Sequence, residues 1–82
     1  MFIKIDRQIE GLQKAITKIR LKLEELDMKR DAIIDAAADE DRQLTVAEEN
    51  RLDKINDQHE TLMAEWDDIE KALEILEEYT HY

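Results

Sequence analysis

Cysteine, serine and proline are absent from this sequence, and glycine occurs once, at Gly11. Without cysteine there is no disulfide framework, no thiolate metal site and no thiol nucleophile, which fits a reducing compartment. Without serine, the two histidines, His59 and His81, stand beside no nucleophile. A lone glycine cannot build a loop that cradles phosphate. The missing prolines and glycines are also the punctuation that strands and hairpins need, so β-structure is not expected. No segment approaches the roughly 18 consecutive apolar residues of a bilayer span. The N-terminal MFIKIDRQIE lacks the apolar core of a signal peptide. A soluble cytoplasmic protein is expected, with no cofactor and no membrane partner.

What is present is charge and helix-forming side chains. Charged residues make up 41 % of the 82 positions and aromatics 5 %, a composition of long helices. So short a chain makes one domain and buries only about 60–65 % of its unfolded surface, so one packed seam must carry its stability. The net charge of −10 opposes direct binding to nucleic acid, where lysine and arginine must neutralise phosphates. It opposes anionic membranes for the same reason. The charge is uneven: residues 1–22 hold six basic residues against Asp6 and Glu10, whereas residues 57–82 hold nine acidic residues against Lys71.

Apolar residues recur at alternating steps of three and four through Phe2, Ile5, Ile9, Leu12, Ile16, Ile19, Leu23 and Leu26, continuing as Arg30, Ile33 and Ala37. This is a heptad seam with Phe2, Ile9, Ile16 and Leu23 at a. A second seam passes through Leu52, Ile55, His59, Leu62, Trp66, Ile69, Leu73 and Leu76. Between them, Thr45 can cap a helix and Glu48, three residues on, can reach back to the cap amide. The reading is a single domain over residues 1–82, with helices at 3–38 and 46–79 and a turn at 39–45. Each helix is roughly 50 Å long at 1.5 Å per residue. The fold class is therefore all-α, an antiparallel two-helix coiled-coil hairpin. Pairing a with d about a common centre sets Ile19 against Trp66, Leu23 against Leu62 and Leu26 against His59. It also lays the basic start of the first helix beside the acidic end of the second.

Some apolar residues fall outside the seam: Leu21 and Met28 at f, Ile34 at e, Ile75 at c and Tyr79 at g. A two-helix core is thin, so a homodimer that closes a four-helix bundle over such residues is expected. The partner-binding candidates are Leu21, Met28 and Ile34 together with the second-helix carboxylates Asp67, Asp68, Glu70, Glu74, Glu77 and Glu78.

Other constellations give way to plainer readings. His59 has Leu62 and Met63 at i+3 and i+4, so it has no helical co-ligand, and a partly buried, hydrogen-bonded histidine is expected. The stretch from Asp39 to Asn50 alternates acids like a calcium loop, but Leu44 holds the sixth position, where glycine is needed, and Asn50 the twelfth. A solvated acidic turn is the better reading. Arg30 at an a position can snorkel outward or set register. Acid–base catalysis needs carboxylates in a water-excluding pocket with separated pKa values, and a smooth rod has none. No catalytic, metal or cofactor residue is assigned, and the protein is read as non-enzymatic. Gly11, at an outward c position, either lets another surface approach closely or has no role at all.

From LEELDMKRDAIIDAAADEDRQLTVAEENRLDKINDQHETLMAEWDDIEKAL, over about residues 21–73, the chain resembles the N-terminal scaffolding (delta) segment of tailed-bacteriophage major capsid proteins. The shared features are a Lys29–Arg30 pair, an alanine- and acid-rich stretch, an Arg–x–Leu–Thr turn before paired glutamates (Arg42 to Glu49), and a D-x-I element at Asp53 to Ile55. The resemblance implies phage or prophage origin, as a free-standing relative or a fragment, in the host cytoplasm. It implies a role in organising protein subunits through helix packing, with no active site. The functional reading is a protein–protein interaction or capsid-assembly module that binds itself or another subunit. The alternative is a small acidic phage inhibitor that mimics nucleic acid toward a host defence nuclease or CRISPR complex.

Overall fold

The computed structural model describes residues 3–80, with side chains from Lys4 to Tyr79; the seam assignment of Phe2 and the reading of His81 lie outside the described residues. Two helices account for almost all of it, α1 from Ile3–Asp39 and α2 from Val46–Thr80. They pack as a hairpin 61 Å long and only 16 × 15 Å in section.

Leu, Ala, Glu, Lys, Arg, Gln and Met, which lose little side-chain freedom in a helix, make up most of both helices, and the isoleucines fall mainly at seam positions, where packing offsets their stiffness. Mid-helix threonines satisfy their hydroxyls locally: Thr17 Oγ1 donates to the carbonyl of Gln13 (3.1 Å) and Thr61 Oγ1 to that of Asp57 (3.0 Å). Glu10–Lys14 and Asp67–Lys71 form exposed i,i+4 pairs at 3.5 Å, with the acid N-terminal as the helix dipole prefers, each contributing about 0.3 kcal/mol.

The reversal between the helices is a Schellman motif followed by a capping box. The Arg42 amide donates to the Ala37 carbonyl (3.1 Å) and the Asp41 amide to that of Ala38 (3.0 Å), which satisfies the last carbonyls of α1. This geometry puts Asp41 at φ 51°, the left-handed position usually given to glycine. Thr45 Oγ1 then accepts the Glu48 amide (3.1 Å) while Glu48 Oε1 accepts the Thr45 amide (2.9 Å), the reciprocal cap expected of this spacing.

Burial follows the heptad in both helices. The buried apolar residues are Ile19, Leu23, Leu26, Ala37 and Ile55, and every other described a or d position from Ile5 to Leu76 in the two seams is half-buried. Leu26 and Leu62, Leu12 and Leu76, and Ile16 and Leu73 line common grooves, each within one layer of the expected pairing. Burial is deepest from the middle of the rod toward the turn. At the open end, Ile5, Ile9, Leu12 and Ile16 of α1 and Ile69, Leu73 and Leu76 of α2 remain half in solvent. Arg30 leaves the seam by turning outward to Asp27 and Asp31, both at 3.2 Å. No helix among the described residues is long and apolar enough to cross a membrane.

Candidate functional site

A two-helix rod has no interior, so whatever it does is done on its outer faces. Heptad position decides which face a side chain occupies: e and b residues of both helices line one flank, g and c residues the other, and f residues the two backs. The grooves along the rod show this sorting directly. Ile16, Asp67, Glu70, Leu73, Glu74 and Glu77 share one side, with Lys71 reaching over from the back of α2. Lys22, Glu25, Lys29, Gln58 and Thr61 share the other, with Leu26 and Leu62 beneath and Asp57 at the edge from the back of α2.

The two flanks are electrostatically unlike. The e/b flank carries Asp6, Glu10, Glu24, Asp27 and Asp31 on α1, and Glu49, Asp53, Glu60, Asp67, Glu70, Glu74 and Glu77 on α2, opposed by Arg20 at an e position and by Lys14, Arg30 and Lys71, which reach in to Glu10, to Asp27 and Asp31, and to Asp67. The g/c flank carries Lys4, Lys18, Lys22, Lys29, Arg51 and Lys54 against Glu25, Asp39, Glu65 and Asp68. The net negative charge of the chain thus resides on one flank and in the turn, and the other flank is mildly positive.

The residues singled out from sequence do not form one surface. Leu21 and Met28, 53 % and 72 % exposed, lie two turns apart on the back of α1. Ile34 is on the e/b flank near the turn, in a groove with Ala37, Ala38, Leu44 and Glu49. Asp67, Glu70, Glu74 and Glu77 lie together on the e/b flank, Asp68 is on the opposite flank, and Glu78 is on the back of α2; all six are exposed. A single partner helix therefore cannot cover the whole set. Val46 and Met63 are exposed apolar residues outside the set singled out from sequence, although their b and e positions follow from the same heptad.

No family model, curated protein or solved structure matches the chain.

Particular side chains on these faces have defined partners. Trp66, half-buried at an a position, donates its indole N–H to Glu70 Oε1 at 2.7 Å, so the aromatic is tied to the acidic flank beside Met63. His59 is half-buried in the seam, but neither ring nitrogen is bonded to another described residue, and the hydrogen bond expected from sequence is not formed. The reason is geometric: its ring edge reaches water, since no buried side-chain nitrogen or oxygen among the described residues lacks a partner. No group of three or more metal-ligating side chains gathers among the described residues.

The strongest local electrostatics sit at the turn. Arg42 donates through Nη1 and Nη2 to the two Glu48 carboxylate oxygens at 2.6 and 3.2 Å, through Nη1 to the Gln43 carbonyl at 3.1 Å, and through Nε to Glu40. The guanidinium and the Thr45 amide together hold the Glu48 carboxyl down from 4.5 to about 2. The same bonds push Arg42 up from its ordinary value. Such a clamp holds the turn in one geometry; it presents no group poised for proton transfer.

Proposed function

We propose that this hairpin is a non-catalytic protein–protein interaction module of bacteriophage type, which organises other protein subunits by packing outward apolar side chains against their helices. The observation that carries this reading is the exposure of Leu21, Met28, Ile34, Met63, Ile75 and Tyr79 on a rod whose own seam leaves most of its described apolar positions partly wet. Helical partners bury such residues as anchors at i and i+7, the spacing of Leu21 and Met28. The resemblance of the turn region to phage capsid scaffolding segments gives the partner class: a subunit of a phage assembly in the host cytoplasm.

The test is capture of partners from phage-infected or lysogenic bacterial extract on the wild-type chain and on a Leu21→Lys, Met28→Lys, Ile34→Lys variant. Loss of a specific partner on substitution, with little change between about 0.05 and 0.5 M salt, supports apolar helix packing. Unchanged capture counts against it.

The charge segregation favours a second reading, an acidic phage inhibitor whose e/b flank imitates a phosphate backbone and occupies a nucleic-acid-binding host protein such as a defence nuclease or CRISPR complex. Binding would then fall steeply with salt and compete with DNA or RNA. Charge reversal at Glu70, Glu74 and Glu77, which share that flank, is the decisive variant. Glu78, on the back of α2, serves as the control.

A further inference from the structure

We propose that the g/c flank is the surface on which a second copy of this chain packs, the two rods lying side by side in the same direction about a two-fold axis parallel to their length. Every neighbouring pair of helices in the resulting four-helix bundle is antiparallel. The proposal specifies self-association within the assembly reading and rests on it.

Shape comes first. At the open end the g/c flank forms a groove lined by Gln8, Gly11, Leu12, Ala72, Ile75 and Leu76, and all but Gln8 are apolar or glycine. A Cβ built at Gly11 meets nothing within 4 Å, so α1 carries a notch there, continued by the small Ala15. Facing outward from α2 on the same flank are Ile75 and Tyr79, 57 % and 59 % exposed. The two-fold sets α1 of one copy against α2 of the other at the same height. It brings Ile75 level with Gly11, Ala72 with Ala15 and Tyr79 with Gln8, so large side chains meet small ones. This is the half of the rod where Leu12 and Leu76 stay half-exposed in the single chain.

Charge selects both flank and direction. The same operation brings Lys18 of one copy level with Asp68 of the other, and Lys22 with Glu65. Among the described residues none of these four enters an ion pair within its own chain. The e/b flank cannot meet its own copy without opposing a dozen carboxylates, against which stand Arg20 and the side chains of Lys14, Arg30 and Lys71, already paired within the chain, and like charges across an interface are costly. Reversing one fully overlapped rod end for end on the g/c flank sets Lys22, near the middle of α1, close to Lys22 of the other copy. The flank is 61 Å long and about 16 Å wide, of the order of the roughly 800 Å² per partner in a standard interface.

Sedimentation velocity on the full chain, read together with helical content by circular dichroism, tests this. The wild type should be a dimer, and Ala72→Glu should weaken it by at least about ten-fold by burying a charge in the groove. Lys18→Glu/Lys22→Glu and Glu65→Lys/Asp68→Lys variants should each be monomeric, and an equimolar mixture of the two should form the mixed dimer, in which both charge sets are again opposite. A chain carrying all four changes should dimerise with itself. If a double variant loses helicity, this four-fold exchange, which restores cross-helix charge matching within the chain, keeps the proposal testable. A monomeric wild type, or a dimer indifferent to Ala72→Glu and to the charge exchanges, overturns the pairing. Neither outcome touches the assembly reading, which falls on unchanged partner capture by the Leu21, Met28 and Ile34 variant.

Discussion

Arg42 and Glu48 grip each other across the reversal of the chain, guanidinium to carboxylate at 2.6 and 3.2 Å, with the Glu48 side chain only 12 % exposed. Arg42 closes α1, because its amide completes the six-residue Schellman bond to Ala37, and Glu48 opens α2 as the last residue of its capping box, the third position of the helix. One ion pair therefore joins the end of one helix to the beginning of the next and fixes the angle at which α2 starts back along α1.

This clamp makes part of the stability depend on pH in a defined direction. The Glu48 carboxyl is held down from 4.5 to about 2 by Arg42 and the Thr45 amide. The unfolded chain therefore takes up a proton there before the folded one does, and stability present above pH 4.5 is lost as the pH falls toward 2. Glu48→Gln should lower the melting temperature at pH 7, and its deficit relative to wild type should shrink through that window. Other carboxylates, relieved of mutual repulsion by protonation, shift both proteins alike, so the difference between the two melting curves is the quantity to follow. A deficit that stays constant from pH 7 to 2 would show that the charge of Glu48 contributes nothing.

Asp41 holds the left-handed position of the Schellman motif at φ 51°. A short polar side chain tolerates that conformation better than a branched one, but glycine tolerates it best. Asp41 also places a negative charge at the C-terminal end of α1, whose last turn has no basic residue, opposing the helix dipole. Asp41→Gly is expected to stabilise the hairpin by up to about 1 kcal/mol, the strain and dipole gains exceeding the added chain entropy of glycine. Asp41→Val should destabilise it by about 1–2 kcal/mol. Urea denaturation followed by circular dichroism measures both, and a destabilised glycine variant would refute the strain argument.

The elements of this fold were readable in the sequence because a heptad states its own geometry. The seam from Ile5 to Ala37, the seam from Leu52 to Leu76 and the Thr45–Glu48 cap each specify local structure through spacing alone. The Schellman motif was not readable, because its signal is a glycine after the helix and the only glycine here is Gly11, within α1. The Arg42 clamp was missed for a related reason: the Arg42–Glu48 contact depends on the turn bringing the two side chains together. The division of the candidate surface was readable in principle. Leu21, Ile34, Asp68 and Glu70 fall on different faces once the heptad is assigned, but a count of acids along α2 treats its face as one.

Gly11 offers a stability gain that separates the single chain from the pair. It lies inside α1 with open space where a Cβ would go, so Gly11→Ala removes backbone freedom from the unfolded chain without a clash. The gain should be roughly 0.5–1 kcal/mol in dilute solution. If the notch receives Ile75 of a second copy, the same methyl group intrudes on that contact. Alanine should then stabilise the hairpin at low concentration and weaken its dimer, a change of opposite sign that melting at two concentrations detects. A gain independent of concentration would leave the notch without a packing role.

Truncation of the seam should reveal where its cohesion lies. Leu26, 7 % exposed near the middle of the rod, loses its layer when cut back, and Leu26→Ala should cost about 2–3 kcal/mol. That is the low end of the usual range, because no described side chain is wholly enclosed and the layer can partly close or admit water. Leu76, half-buried at the open end, leaves less behind, and Leu76→Ala should cost about 1 kcal/mol in the monomer. Leu21→Ala, on the back of α1, should change stability by no more than about 0.5 kcal/mol, since the side chain is 53 % exposed and alanine is the better helix former. Denaturant midpoints of the three variants, measured well below any dimerisation concentration, give the ranking directly. If Leu21→Ala proved as costly as Leu26→Ala, the residue would be packed against something in the isolated protein, and the assignment of the α1 back as a free docking surface would have to be abandoned.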